Sequence, residues 1–210
     1  FPERWLTQLA AAGIDVSAVK RLDRPHQLRS RAFYLPDGRR TDRVAEARPY
    51  LPAHAAEQLD LTSEYTETGS PLHRRIWPVF TPLPAQLEGI AAAAAYAHLA
   101  PGDLGNNRAN AAFLKQATQG RLVTSLDWPW WAWDRESQSD LLLLQNIDYL
   151  LPSLEELTIH AAAQGLDPFE AASRLLKLGL QAIVVKQGAR GVRLLPQSRD
   201  GWLALPVYPT

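Results

Sequence analysis

The chain contains 210 residues, 46% of them hydrophobic, and its 22 basic residues are balanced by 22 acidic ones. This composition is typical of a globular chain of about one domain, and it excludes disordered and fibrous proteins. A net charge of zero provides no general field for nucleic acid or a membrane surface, so neither is expected as a partner.

Three features that the sequence lacks narrow the class of protein further. The sequence has no cysteine, which excludes a disulfide framework and a cysteine-ligated metal site. It has no signal peptide and no apolar run long enough to span a membrane, so we expect a cytoplasmic protein. It also has no methionine and begins at Phe1, from which we expect a fragment of a longer protein.

The first part of the chain predicts a helix and a hairpin. Apolar residues at helical spacing indicate a helix over residues 2–12 that ends at Gly13. Residues 32–35 are typical of a strand, and residues 36–39 of a turn with a permissive glycine. A returning strand after Arg40 would complete the hairpin.

Short strands and helices alternate beyond a proline-rich stretch of weak periodicity at residues 44–84, in which a mobile loop is expected at 62–70. The predicted strands lie at 96–99, 121–126, 147–151 and 181–185, and the predicted helices at 87–94, 107–119, 141–144, 153–164 and 168–178. This alternation predicts an α/β fold of three layers, with a mostly parallel sheet and helices on both faces.

Polar side chains follow three of the predicted strands: His98, Asp127 and the pair Ser153 and Glu156. Ligands of open α/β sheets bind beyond these carboxyl ends. The ordinary interpretation of the pair is a capping box, in which each side chain bonds the other's backbone amide. The functional alternative is that the Glu156 carboxylate holds waters of a phosphate-bound Mg²⁺ ion. His98 is interpreted as a structural residue rather than a base.

Two further features follow strands. The turn from Gly188 to Gly191 is ordinarily a hairpin; in a functional interpretation its backbone allows close approach of a phosphate, with Lys186 or Arg190 as the cation. Four of the seven tryptophans lie in residues 128–133. They are interpreted as core or as a subunit contact, with stacking on a sugar or a base as the alternative.

The order of these motifs resembles one family, the ribokinase-like (PfkB-type) carbohydrate kinases. The residues that carry the resemblance are 13–16 (Gly-Ile-Asp-Val), 37–39 (Asp-Gly-Arg), 148–156 and 184–191. The similarity is good over residues 1–43 and 140–210 and weaker between 44 and 95. It implies a partial kinase domain with a β lid at about 14–43 and an α/β core at about 84–210.

The resemblance also implies cofactors and partners. The family uses ATP and Mg²⁺, acts on a sugar or nucleoside, and often pairs its lid strands between subunits, so a homodimer through the lid is expected. Glu156 matches the glutamate of an Asn-x-x-Glu motif that organises Mg²⁺ and the nucleotide phosphates, with Ser153 in place of the asparagine. The segment with Gly188, Arg190 and Gly191 matches the part that lies along the nucleotide.

Some family elements have no counterpart in the chain. Lys186 stands where threonine or serine is frequent. The sugar-binding glycine-rich region would precede Phe1, and the Gly-Ala-Gly-Asp signature, which carries the catalytic base, would follow Thr210. No catalytic residue is therefore assigned here, and we expect this segment alone to be inactive.

The resemblance leads to one hypothesis with two alternatives. The leading hypothesis is that the longer protein phosphorylates a hydroxyl of a sugar or nucleoside with ATP. The first alternative is a non-catalytic member that binds a nucleotide or a protein, which Ser153 and the tryptophan segment favour. The second is an unrelated α/β nucleotide-binding protein in which Ser153 and Glu156 only cap a helix.

Overall fold

A small hairpin and a six-stranded sheet make up the β structure of the described chain. The structure, a computed structural model, describes residues 3–17, 19, 33–37, 40–41, 44–52, 81–127 and 141–207. The loop expected at 62–70 and the tryptophan segment at 128–133 lie outside these residues.

The N-terminal part contains the predicted helix and hairpin. Helix α1 spans Glu3–Ala11, and Gly13 follows it at a φ of +82°, a conformation that suits glycine. Strands β1 (Phe33–Tyr34) and β2 (Arg40–Thr41) pair antiparallel, which confirms the hairpin. Its role as a lid stays a prediction. A short helix α2 (Val44–Ala47) then leads into a 3-10 turn, Arg48–Tyr50.

The large sheet keeps its strands in chain order. They are β3 (Tyr96–Leu99), β4 (Val123–Leu126), β5 (Tyr149–Leu150), β6 (Ala182–Lys186), β7 (Val192–Pro196) and β8 (Leu203–Leu205). Strands β3 to β6 are parallel neighbours, and β7 and β8 join antiparallel. The prediction of an α/β fold with a mostly parallel sheet is therefore confirmed.

Helix α3 (Glu88–Ala91) precedes β3, α4 (Leu104–Ala117) connects β3 to β4, and both α5 (Leu154–Ala163) and α6 (Pro168–Leu176) lie between β5 and β6. The remaining 3-10 turns are Pro84–Gln86, Leu142–Asn146 and Gly188–Arg190. No helix of the described residues is both long and apolar enough to cross a bilayer.

Capping residues set where the helices begin. Asp167 accepts hydrogen bonds from the amides of Phe169 (2.8 Å) and Glu170 (3.4 Å), as the sequence predicts. The predicted start of α4 at 107 was wrong, because Asp103 caps the helix by accepting a bond of 2.8 Å from the Asn106 amide. Helix α4 therefore begins at Leu104.

The core lies on one face of the sheet. A row of paired, buried side chains crosses five strands: Leu99, Leu126, Leu150, Ile183 and Leu195. Apolar residues of α4, α5 and α6 complete the same cluster, and burial of each leucine contributes about 1.5–3 kcal/mol. These helices thus cover one face. A helical layer on the other face stays a prediction.

The amino-terminal edge of the sheet is held by a half-buried network around Asp148, the residue before β5. Its Oδ2 accepts bonds from Lys115 Nζ (2.5 Å), Thr124 N (2.7 Å) and Thr124 Oγ1 (2.9 Å), and its Oδ1 accepts one from Gln181 Nε2 (2.9 Å). Burial raises the pKa of Asp148, but the bonds from Lys115 and Thr124 outweigh it and leave the pKa below its ordinary value of 3.8.

The turn between β6 and β7 requires glycine at residue 191. Gly191 has a φ of +82°, and a Cβ atom there would lie 2.2 Å from the carbonyl oxygen of Leu205 at the end of β8. Backbone cannot move aside as a flexible side chain can. This glycine thus has a structural reason that is independent of any ligand.

We expect Gly191→Ala to lower the free energy of unfolding by about 3 kcal/mol, because the clash adds to the strain of a positive φ. Gly201→Ala is the matched control: Gly201 has a φ of +85°, but a Cβ there meets nothing within 4 Å. It should cost only about 1–2 kcal/mol. Urea unfolding measures both, and equal losses would contradict the role assigned to the Leu205 contact.

We expect Asp148→Asn to lower the free energy of unfolding at pH 7 by about 3 kcal/mol, since it leaves Lys115 without its carboxylate. A lowered folded-state pKa gives stability that is present above 3.8 and is lost as the pH falls through the folded value. The difference from wild type should therefore shrink below pH 3.8 in urea unfolding. Glu170→Gln, which breaks the exposed pair with Arg174, should cost no more than about 0.5 kcal/mol.

Candidate functional site at the carboxyl ends of the strands

The carboxyl ends of β3 to β6 are aligned with one another by backbone hydrogen bonds beyond the strands. Asp127 N donates to Leu99 O (3.0 Å), Leu151 N to Leu126 O (2.9 Å) and Lys186 N to Pro152 O (2.8 Å). The alignment continues to a parallel bridge between Ser153 and Lys186. Side chains that the sequence separates by dozens of residues therefore meet at this edge.

A direct ion pair joins two of these strand ends. Lys186 Nζ lies 2.6 Å from Asp127 Oδ1, and the side chains are 43% and 30% exposed. Strands β4 and β6 are separated by β5, so the pair spans two strand spacings, roughly 9–10 Å. Only a side chain as long as lysine can bridge that gap to an aspartate. The ammonium thus lies over the end of β5 and remains half accessible to solvent.

His98 borders this pair from the neighbouring strand β3. Its Nδ1 is 2.9 Å from Ser125 Oγ, and its Nε2 is 3.6 Å from Asp127 Oδ2. The serine contact therefore turns the ring toward the carboxylate, at a distance too long for a hydrogen bond. His98 is thus bonded within its own sheet, and its structural role stays a prediction.

The capping box at Ser153 and Glu156 is confirmed. Ser153 Oγ accepts a bond of 3.2 Å from Glu156 N, and Glu156 Oε2 accepts one of 2.6 Å from Ser153 N. The ordinary interpretation of this pair is therefore correct, and a role of Glu156 toward Mg²⁺ stays a prediction. The charges of Lys186 and Asp127 also act on this carboxylate.

Burial raises the pKa of Glu156 above its ordinary value of 4.5 by disfavouring the charged carboxylate. The bonds from Ser153 and the ammonium of Lys186 act in the opposite direction, and the charge of Asp127 raises the pKa further. A carboxylate that is poorly solvated and close to a second one is a place where a cation would be stabilised.

The glycine turn lies directly beyond Lys186 on the same hairpin. Gly188–Arg190 form a 3-10 turn, which is closed by a bond of 2.8 Å from Gln187 N to Gly191 O. The ordinary interpretation as a hairpin is thus confirmed. Arg190 is exposed in the turn, whereas Lys186 points back over the strand ends and contacts Asp127.

The site residues fit Mg²⁺ only as part of a phosphate complex. No group of three or more histidine and carboxylate side chains in the described ranges could hold a metal ion by itself. Glu156 supplies hard carboxylate oxygens, which suit Mg²⁺, and this ion usually takes one or two carboxylates together with waters and substrate phosphates. Glu156 could therefore hold Mg²⁺ that arrives with a nucleotide, whereas the Asp127 carboxylate is bonded to Lys186.

The pairing of Asp127 with Lys186 was missed by the sequence reasoning, which identified each residue separately. The two are 59 residues apart, and the signal for their contact is that both follow strands of one parallel sheet. A cavity of about 620 Å³ lies at the opposite, amino-terminal edge, where Tyr149, Ala182 and Pro196 line it. It contains none of the predicted site residues.

The chain is similar to several solved kinases. A ribokinase from Giardia lamblia has 15% identity and a TM-score of 0.49, over 60% of this chain and 41% of that one. Arabidopsis thaliana ribokinase complexed with ribose and ATP has 22% identity and a TM-score of 0.45, over 58% and 38%. Burkholderia thailandensis nucleoside kinase in complex with inosine has 21% identity and a TM-score of 0.45, over 60% and 39%.

The chain thus spans about 40% of the length of these solved kinases, which are of the kind that the motifs resemble. No family model matches the chain. A search of curated proteins likewise finds no match. With identities of 15–22% and TM-scores below 0.5, the functional assignment rests on the residues at the strand ends.

We expect Glu156→Gln to be at least as stable as wild type at pH 7, because glutamine keeps the bond to the Ser153 amide and removes a poorly solvated charge. A raised folded-state pKa gives stability that is present below 4.5 and is lost as the pH rises through the folded value. The variant should lack this pH dependence in thermal unfolding between pH 4.5 and 7.5. Glu156→Ala removes the cap and should lose about 1 kcal/mol; equal losses in both variants would contradict the assignment.

Proposed function

We propose that the protein containing this chain transfers the γ-phosphoryl group of ATP to a hydroxyl of a sugar or nucleoside. One observation carries the proposal. The bridge between Ser153 and Lys186 brings together, at the ligand-binding edge of a parallel sheet, the two segments whose motifs resemble those of ribokinase-like kinases. Each segment alone has an ordinary explanation, as a cap or as a hairpin. Their adjacency supplies a cation, a carboxylate and a glycine turn in one place.

Each group has a role in this proposal. The Lys186 ammonium and the turn from Gly188 to Gly191 bind the nucleotide phosphates, with Arg190 as a further cation at the rim. Glu156, held at its position by Ser153, contacts the waters of Mg²⁺. When bound, the ion neutralises charge on the phosphates. The base that deprotonates the acceptor is proposed to lie in a Gly-Ala-Gly-Asp segment rather than among the described residues.

A second candidate function is nucleotide binding without turnover. One contact favours it: Glu156 Oε2 is already occupied by the bond from Ser153 N, which leaves less of this carboxylate for the waters of Mg²⁺. A homodimer that pairs the β1–β2 hairpins of two subunits would be compatible with either candidate. Turnover separates them, because the binding protein would retain ATP affinity and produce no ADP.

We expect the full-length protein to form ADP from ATP only in the presence of Mg²⁺ and an acceptor, in a coupled assay over sugars and nucleosides that includes ribose and inosine. Glu156→Gln should lower kcat by about 100-fold, because a group that organises transition-state charge is lost. Lys177→Gln, which removes an exposed lysine after α6, should leave kcat unchanged.

One result would contradict the kinase: tight ATP binding by calorimetry with no acceptor-dependent ADP, which favours the binding protein. Full activity of Glu156→Gln would leave the kinase standing and contradict only the Mg²⁺ role of Glu156, in which case Ser153 and Glu156 serve only as a helix cap.

A further inference from the structure

The Asp127–Lys186 pair fixes the direction of the Lys186 side chain, which is proposed to bind the nucleotide phosphates. A lysine side chain has four rotatable bonds, and fixing it in one direction costs conformational entropy. Lys186 also lies at the end of β6, from which its ammonium could turn to solvent. The bond of 2.6 Å to Asp127 holds it instead over the end of β5, next to the first turn of α5.

Asp127 also adds negative charge next to the proposed phosphate site. Asp127 faces Lys186 from β4, Glu156 lies near both from α5, and His98 approaches Asp127 from β3. The two carboxylates outnumber the one ammonium. Considered by charge alone, Asp127 therefore repels a phosphate, and its removal would strengthen anion binding. Considered by geometry, Asp127 orients the Lys186 ammonium, and its removal would weaken anion binding.

We propose that Asp127 is a positioning residue, which orients Lys186 toward the phosphates of a Mg²⁺-bound nucleotide. The proposal rests on the kinase function proposed above and adds a residue that none of the matched motifs contains. An ammonium has three donors, so Lys186 keeps its bond to Asp127 while two donors remain for phosphate oxygens. The geometric effect outweighs the repulsion because the nucleotide arrives with a divalent cation, which offsets the charge of the second carboxylate.

Calorimetry of MgATP binding to the full-length protein tests the sign of the effect. We expect Asp127→Ala to weaken binding about tenfold, as is typical of residues that orient a ligand-binding group. In a Lys186→Gln background the same change should cause no further loss, because no ammonium remains to be oriented. Asp127→Asn keeps an acceptor oxygen and should weaken binding less than Asp127→Ala. Glu170→Ala removes a carboxylate from the exposed pair with Arg174 and should not change binding.

Two results would overturn the proposal. Unchanged or tighter MgATP binding by Asp127→Ala would show that repulsion dominates. Equal loss in both backgrounds would show that Asp127 acts independently of Lys186. Thermal unfolding of each variant identifies any loss of binding that comes from misfolding. If Asp127→Ala is misfolded, Asp127→Asn decides: weaker MgATP binding supports the proposal, and unchanged or tighter binding overturns it.

A measurement without nucleotide separates this proposal from the kinase function. Acetylation with an amine-reactive ester, followed by mass spectrometry, compares Lys186 with the exposed Lys177 on the same chain. If Asp127 binds the Lys186 ammonium, Asp127→Ala should raise the acetylation of Lys186 relative to Lys177 several-fold. An unchanged ratio would overturn the proposal that Asp127 positions Lys186. If wild type binds no MgATP while the ratio rises, the kinase proposal fails and the hold of Asp127 on Lys186 stands.

Discussion

The described structure depends on the network around Asp148. This one carboxylate accepts bonds from α4, from β4 and from the residue before β6, so it joins three neighbouring elements at the amino-terminal edge of the sheet. Three parallel strands whose starting points are tied together must also end at related heights. The polar network at one edge and the backbone register of these strands together bring side chains into contact about four residues later at the other edge.

The two edges use buried charge in different ways. At the amino-terminal edge, the Asp148 carboxylate is fully bonded and its pKa is lowered, so its charge serves stability. At the carboxyl edge, Glu156 carries a raised pKa, and Lys186 and Asp127 remain partly exposed. Burial of the Glu156 charge costs stability, and the partly exposed Lys186 and Asp127 side chains stay accessible from solvent. The contrast supports a functional interpretation of the second edge.

The sequence predicted the features that depend on residues a few positions apart. These are the Asp167 cap, the Ser153–Glu156 capping box and the glycine turn. Contacts between distant residues could not be predicted from these local signals, because they depend on the order of the strands in the sheet. The Asp127–Lys186 pair depends on the position of β5 between β4 and β6. Helix α4 begins three residues before its predicted start because Asp103 caps it.

The packing of Gly191 against Leu205 has a dynamic consequence. Strand β8 lies at the end of the strand order, and edge strands are among the first elements to fray. The carbonyl of Leu205 occupies the space beside Gly191, so fraying of β8 would remove one wall of the glycine turn. Amide exchange in the outermost strand would then measure how often the turn that faces the proposed phosphates loses this wall.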